Sequence, residues 1–281
     1  MLTTLNCRGK LLDLSRPVVM GILNTTPDSF FAGSRIMDQK QLMEKAGEMI
    51  EEGAVILDIG GASSRPGAGE VSEAEEINRL IPAIQAVRAT YPAALISADT
   101  WRAAVAREAL RAGAHIINDI SAGQMDSELW DTAAGSGAPY VLMHMQGTPK
   151  EMQKNPHYED VVQEVLDFFI LQVARLRSKG IQDIVLDPGF GFGKTIEHNY
   201  RLLNQLDVFS TVLQLPVLAG ISRKSMICRV LGVQPEQALN GTTALHMAAL
   251  QKGARILRVH DVREAVEVIR LYENLNAARP I

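Results

Sequence analysis

Leu186-Asp187-Pro188-Gly189-Phe190-Gly191-Phe192-Gly193-Lys194 is the stretch from which the chain is read. The apolar residues Ile184-Val185-Leu186 run straight into a carboxylate, and three glycines with two aromatics separate it from a helix-like segment near Glu197. An apolar run of this length reads as a buried strand. Glycine lets backbones approach closely and adopt positive φ. Phe190 and Phe192 offer flat apolar surfaces. An acid at a strand end beside a flat wall suits a planar heterocycle with donor groups on its edge. Taken alone, the same residues are also a carboxylate capping a turn before a glycine loop.

Outward from this stretch the pattern repeats. Val18–Leu23, Ala54–Gly60, Ala94–Asp99, Ala114–Asp119, Pro139–His144, Asp183–Asp187, Leu215–Gly220 and Arg255–His260 read as eight strands. Helical spacing follows them, for example Leu42, Ala46, Met49 and Ile50 within 38–51. Ser72 with Glu75 reads as a capping box. Asp261 reads as the cap of a last helix reaching about Asn276. Gly-Ala pairs at Gly53-Ala54, Gly113-Ala114 and Gly253-Ala254 mark where a helix ends and the next strand begins. Strand then helix, eight times, predicts one α/β domain, a single (β/α)8 TIM barrel over 17–281. Residues 1–16 read as a short N-terminal β-hairpin outside it, with a turn at Arg8-Gly9-Lys10. A doubly wound open sheet is the alternative fold.

Composition agrees and removes several functions. The chain has 281 residues, 47% hydrophobic and 21% charged, with a net charge of −4. That suits a globular domain and gives no basic excess for nucleic acid. The longest apolar runs fall short of the ~20 residues of a membrane span. No basic-then-apolar leader stands at the N-terminus. Cys7 and Cys228 form no disulfide framework, so a reducing cytoplasm is the expected compartment. Either thiol is expected to be inert packing.

In such barrels the active site lies at the C-terminal ends of the strands. Those ends carry Asn24, Asp58 with the loop to Arg65, Asp99, Asn118, Met143-His144, Asp187, Ser222 with Lys224, and Arg258 with His260. Each alone reads equally as a helix cap or a structural polar group. Capping does not require every strand to end in a hydrogen-bonding group, so their convergence is informative. Asp99, Asn118 and Asp187 suit the N–H and amide edge of a neutral heterocycle. Arg65, Lys224, Arg258 and His260 suit an anion. Asn24 is a neutral oxygen donor, compatible with Mg2+, which takes hard oxygen ligands and keeps several waters. No zinc-like Cys/His spacing occurs.

At this point specific strings can be compared. MGILNTTPDSF (20–30), LDIGGASSRPGA (57–68), SADT (97–100), AHIINDI (114–120), LMHMQGTP (142–149), LDPGFGFGK (186–194), GISRKSMI (220–227) and LRVHDV (257–262) occur in chain order. Through them the chain resembles the dihydropteroate synthases over nearly its whole length. The resemblance implies transfer of a dihydropterin CH2 group from pyrophosphate to 4-aminobenzoate, with Mg2+, in folate biosynthesis. It implies small-molecule partners only (dihydropterin pyrophosphate and 4-aminobenzoate, with no nucleic acid or membrane), a sulfonamide target and a homodimer.

Carried over residue by residue, it implies that Asp99, Asn118, Met143, Asp187, Phe192, Gly220 and Lys224 hold the pterin. Asn24, Ser64, Arg65, Arg258 and His260 would hold pyrophosphate, with Asn24 on the metal. Phe30, Pro66, Phe192, Ser222 and Lys224 would shape the aminobenzoate site. Asp187, Lys224, Arg65 and Asp99 would carry the catalysis, Arg65 closing over the pyrophosphate.

Three places depart from the family pattern. Ala32 stands where a loop carboxylate is usual, Ala62 replaces a Glu, and Trp101-Arg102 replaces a small or basic pair. A pterin-dependent corrinoid methyltransferase is a second reading, disfavoured by the anion-binding Ser222-Arg223-Lys224-Ser225 string. A non-catalytic pterin-binding paralogue is a third, supported only by Ala32 and Ala62. The apolar stripe Val266, Ile269, Leu271 and Leu275 is a candidate contributor to the dimer, but reads more simply as the barrel-facing side of the last helix.

Overall fold

A computed structural model describes residues 3–25, 35–62, 71–149 and 151–278. Two short strands, β1 (Thr4–Cys7) and β2 (Lys10–Asp13), form an antiparallel pair. The main body then runs β3 (Val18–Asn24), α1 (Arg35–Glu51), β4 (Ile56–Gly60), α2 (Glu73–Thr90), β5 (Leu95–Asp99), α3 (Ala103–Ala112), β6 (Ile116–Asp119) and α4 (Leu129–Ser136). It continues with β7 (Tyr140–Met143), α5 (Val161–Ser178), β8 (Ile184–Asp187), α6 (Ile196–Asn204), α7 (Asp207–Leu213), β9 (Val217–Ala219), α8 (Ser225–Leu231), α9 (Leu239–Gln251), β10 (Ala254–Val259) and α10 (Val262–Ala277). Strands β3 to β10 are parallel and close into a barrel, β10 pairing with β3. That pairing excludes the open sheet. The strands are shorter than the apolar runs suggested, and two of the βα units hold two helices.

The two faces of each strand separate cleanly, as the period-2 alternation of a strand requires. Val19, Leu57, Ile96, Ile117, Leu142, Leu186, Ala219 and Leu257 join the apolar shell shared with the helices. One residue from every strand (Met20, Ile56, Leu95, Ile116, Val141, Val185, Leu218 and Ile256) joins a second, interior cluster. That cluster also takes Leu5, Cys7, Leu12 and Leu14 from the hairpin segment. The hairpin is therefore outside the sheet but not outside the fold, because its inward face stoppers the N-terminal end of the barrel. Burial pushes the Cys7 thiol up to about 12, which keeps it inert. Cys228 is also free.

Two residues further along each strand the inward position turns polar. It holds Asp58, Ser97, Asn118, Asp187 and Arg258, alongside Ile22, Met143 and Gly220. Apolar packing thus fills the lower barrel and leaves an ionic layer at the C-terminal mouth. Buried charges are stable only when paired or hydrogen-bonded, and that requirement sets the geometry of the site.

Some local expectations changed. Ser72 accepts from Glu75 N at 3.3 Å, but the Glu75 carboxylate pairs with Arg79 instead of returning to the cap. Asp261 precedes α10 without capping it, because its carboxylate is taken by Arg223 through Nε (2.9 Å) and Nη2 (2.5 Å). A bidentate guanidinium contact is stronger than a backbone cap. On α10 Val266 packs on the barrel shell and Ile269 is buried, whereas Leu271 and Leu275 are exposed. The stripe is half what was expected.

Candidate active site

The barrel mouth contains three hydrogen-bonded groups of side chains. The first spans the interior. Arg258 on β10 donates from Nε to Asp58 Oδ2 on β4 and from Nη2 to Asp99 Oδ2 on β5, both at 2.6 Å. Asn118 on β6 donates from Nδ2 to the same Asp58 oxygen at 2.9 Å. One guanidinium therefore holds two carboxylates. Burial raises the Asp99 carboxyl to about 7 while Arg258 pulls it down. Asp58 Oδ1 and Ser97 Oγ, neighbours across β4 and β5, are buried without a protein partner among the described residues. Orphaned buried oxygens of this kind call for a ligand donor or a bound water.

The second group lies at the end of β8. Asp187 is 6% exposed and accepts from Gly189 N at 2.8 Å on Oδ1. Burial raises its pKa, with Lys224 opposing. Lys224 reaches in from the start of α8, donates to Phe190 O, and sits 4.8 Å above the Phe192 ring centroid. Burial lowers the Lys224 amine to about 8, with Asp187 opposing. A Cβ added to Gly220 would lie 3.9 Å from both Asp187 Oδ2 and Lys224 Nζ, so this glycine is the floor between them. Met143 is buried beside the loop, its Cγ 3.3 Å from where a Cβ on Gly189 would stand. Gly189 (φ +68°) admits no such Cβ, which would also meet His144 O at 2.0 Å. The two aromatics of this loop differ. Phe190 is fully buried in the outer shell and offers no surface to a ligand; Phe192 remains half-buried at the mouth.

In the third group Ser222 Oγ lies 3.0 Å from His260 Nδ1 and accepts from His260 N at 3.3 Å. Asn24 ends β3 in register with Gly60, at the rim between the first and second barrel strands. Phe30, Ala32, Ser64, Arg65 and Pro66 lie outside the described residues. The expected lid and part of the expected aminobenzoate wall are therefore not part of this geometry.

The mouth gathers the carboxylates of Asp58, Asp99 and Asp187 and the Asn118 amide around the cationic Arg258 and Lys224. It is built on the strings that carried the resemblance. A family profile described as "Pterin binding enzyme" matches residues 20–260. The dihydropteroate synthase of Escherichia coli strain K12 is 48% identical over 274 residues, covering 97% of this chain and 96% of that one. This chain belongs to the dihydropteroate synthase family.

Solved structures agree. The Yersinia pestis dihydropteroate synthase in a sulfonamide drug complex superposes with a TM-score of 0.92 at 45% identity, over 98% of this chain and 100% of that one. The Xanthomonas albilineans dihydropteroate synthase with 4-aminobenzoic acid gives 0.92 at 41% identity, over all of both chains.

Two residues of a family member's mouth were underread in the sequence. Asp58 was placed on the rim but given no ligand. Its signal was present, since it occupies the same inward position on its strand as Asn118 and Asp187 on theirs. Lys194, at the end of the glycine loop, carries no local signal of a role in the sequence; it is 3% exposed and bonds back into that loop.

Proposed function

We propose that this chain joins 6-hydroxymethyl-7,8-dihydropterin pyrophosphate to 4-aminobenzoate, releasing pyrophosphate and making 7,8-dihydropteroate. The observation that carries the reading is the buried acceptor set at the mouth. Asp99, Asn118, Asp187 and Asp58 share the C-terminal mouth with Phe192, Met143 and Lys224. Those acceptors match the N–H-rich edge of a pterin, and Phe192 and Met143 match its faces. Ser222 and His260 follow the neighbouring strands β9 and β10, and Arg258 reaches from β10 to the carboxylates of β4 and β5. Ser222, His260 and Arg258 serve the pyrophosphate and the aminobenzoate, together with Ser64, Arg65, Phe30 and Pro66. The chain acts as one pterin-binding domain, hairpin 1–16 and barrel 17–281.

The chemistry needs little acid–base help. The C–O bond to pyrophosphate breaks as the leaving charge is neutralised by Arg258, His260 and Arg65. Positive charge then spreads from the CH2 group into the pterin ring, where Asp187 is its counter-charge. The aniline nitrogen forms the new C–N bond and releases its proton to solvent. Preorganised electrostatics of this kind are often the largest catalytic term.

Among the described residues no group of three or more His, Cys, Asp or Glu is placed to hold a metal. Mg2+ bound mainly through substrate phosphates needs few protein ligands, and Asn24 at the rim fits that demand. Asn24 would hold the ion, which would supply further neutralisation of the pyrophosphate. No described helix is long and apolar enough to cross a membrane. The same reading makes the protein a cytoplasmic homodimer, for which exposed Leu271 and Leu275 are the first residues to probe.

The test is turnover with the two substrates and Mg2+. Dihydropteroate formation supports the reading. Pterin binding without turnover would replace it with the non-catalytic one, and methyl transfer to a corrinoid with the other. A pH dependence follows as well. Asp99 accepts as a carboxylate, the form populated above about 7. Lys224 is charged below about 8. An unphosphorylated pterin, whose binding avoids titration of the pyrophosphate, should therefore bind most tightly between those values. Calorimetry across pH 5–10 is the check, and a flat profile would remove one or both groups from the pterin site.

A further inference from the structure

Lys194 is 3% exposed, yet no carboxylate lies within ion-pair distance of it among the described residues. Fully buried lysines are rare without a partner, because an unpaired ammonium is strongly disfavoured in an apolar place. Its compensation is a cage of acceptors. Nζ lies 2.9 Å from His144 Nδ1, 3.0 Å from Gly189 O, 3.0 Å from Phe192 O and 3.2 Å from His144 O. Burial holds the His144 imidazole well below its ordinary value, so it is neutral and free to accept. Burial also pushes the Lys194 amine down, to about 7, with Asp187 pulling the other way; hydrogen bonds to the charged form favour it further.

The cage belongs to a larger arrangement. Each carbonyl from Gly189 to Gly193 accepts from a side chain. Lys194 takes those of Gly189 and Phe192, Lys224 that of Phe190, Gln153 that of Gly191, and Tyr158 that of Gly193 at 2.9 Å. Gly189, Gly191 and Gly193 all have positive φ, so this loop has little conformational preference of its own. It nevertheless presents Phe192 beneath Lys224 and gives Lys224 its acceptor at Phe190 O. Lys194 ties both ends of the Gly189–Phe192 turn to the end of β7 at His144.

We propose that Lys194 is a positioning residue for the pterin half of the reaction: its ammonium locks the glycine loop so that Phe192 and Lys224 face the ring. The proposal rests on the reading of the mouth as a pterin site. Lys194 itself touches no substrate.

The test compares wild type, Lys194→Met and Tyr158→Phe by calorimetry, titrating an unphosphorylated hydroxymethylpterin and inorganic pyrophosphate with Mg2+ separately. Lys194→Met keeps the side-chain length and removes every donor. Its pterin affinity should fall about tenfold or more, the loss of charge-assisted hydrogen bonds expressed through the loop, while pyrophosphate affinity stays within about twofold. Tyr158→Phe removes one tie on the same loop and should show the same split at smaller size. It also keeps the test alive if Lys194→Met does not fold. Unchanged pterin affinity in a folded Lys194→Met, or equal losses for both ligands, overturns the proposal, the second result meaning a general structural role. Wild type that fails to bind pterin overturns the site reading instead, so the two failures are distinguishable.

Discussion

Asp187→Asn is expected to fold normally and to lose about a hundredfold in kcat/KM, a loss of roughly 3 kcal/mol of transition-state stabilisation. The fold survives because the amide oxygen still accepts the Gly189 N–H that Asp187 Oδ1 accepts at 2.8 Å. That bond then fixes the amide orientation. The NH2 group must take the place of Oδ2, facing the Gly220 floor and Lys224. A donor there meets an ammonium and the ring N–H groups, so an attraction becomes a repulsion. The site also gains net positive charge just where a cation develops on the pterin. The carboxylate serves the transition state more than the ground state, so kcat should fall along with pterin affinity. Steady-state kinetics with a thermal melt of the same variant separates the effects. Near-normal turnover, or a large drop in melting temperature, would show that the Asp187 carboxylate does something else.

Much of this was legible in the chain itself. Eight apolar runs interrupted by helical spacing can close only in a few ways, and the polar group at each strand end marked one rim. What escaped depended on side chains choosing partners far away in sequence. Asp261 has the local look of a helix cap, but Arg223, 38 residues earlier, offers a bidentate contact. The turn at Arg8-Gly9-Lys10 marks a hairpin, but nothing local says that Leu5, Cys7, Leu12 and Leu14 form a buried face that closes the barrel. Phe190 and Phe192 are two residues apart in a glycine loop whose turns break the strand period. Which of them would be walled in was decided by the helices outside. Leu271 follows buried Ile269 by two residues, about 200° around a helix of 3.6 residues per turn, so it faces outward although Tyr272 beside it still packs on the shell. Arg258 was read by its charge alone and assigned to an anion, whereas two buried carboxylates already compete for it.

That competition gives the second large expectation. Arg258→Ala should destabilise the folded protein by about 3 kcal/mol or more at neutral pH, because removing one partner strands the other charges in the interior. Asp58 has no exposed side-chain surface and Asp99 has 17%, so water cannot replace the guanidinium at both. The two carboxylates, neighbours on β4 and β5, would face each other without a cation. Protonation of Asp99 relieves the repulsion. Burial already raises Asp99 to about 7, and loss of Arg258 raises it further. The sign follows: the stability difference between wild type and variant is largest at high pH and shrinks as pH falls through about 7. His260→Ala makes the contrast. It leaves the Arg258 pairs with Asp58 and Asp99 in place, so the pH-dependent loss of stability should be absent while pyrophosphate affinity falls. Arg258→Ala should weaken both pyrophosphate and pterin, since the guanidinium also holds Asp58 and Asp99 in the places where they meet the ring. Urea unfolding at pH 5 and pH 8, with calorimetry of each ligand, reads all of these. An Arg258→Ala protein as stable as wild type at pH 8, and weakened for pyrophosphate alone, would mean that the guanidinium serves only the anion. The ion pairs at 2.6 Å tie Arg258 to the Asp58 and Asp99 carboxylates, so its loss is expected to reach the proposed pterin side as well as the anion side.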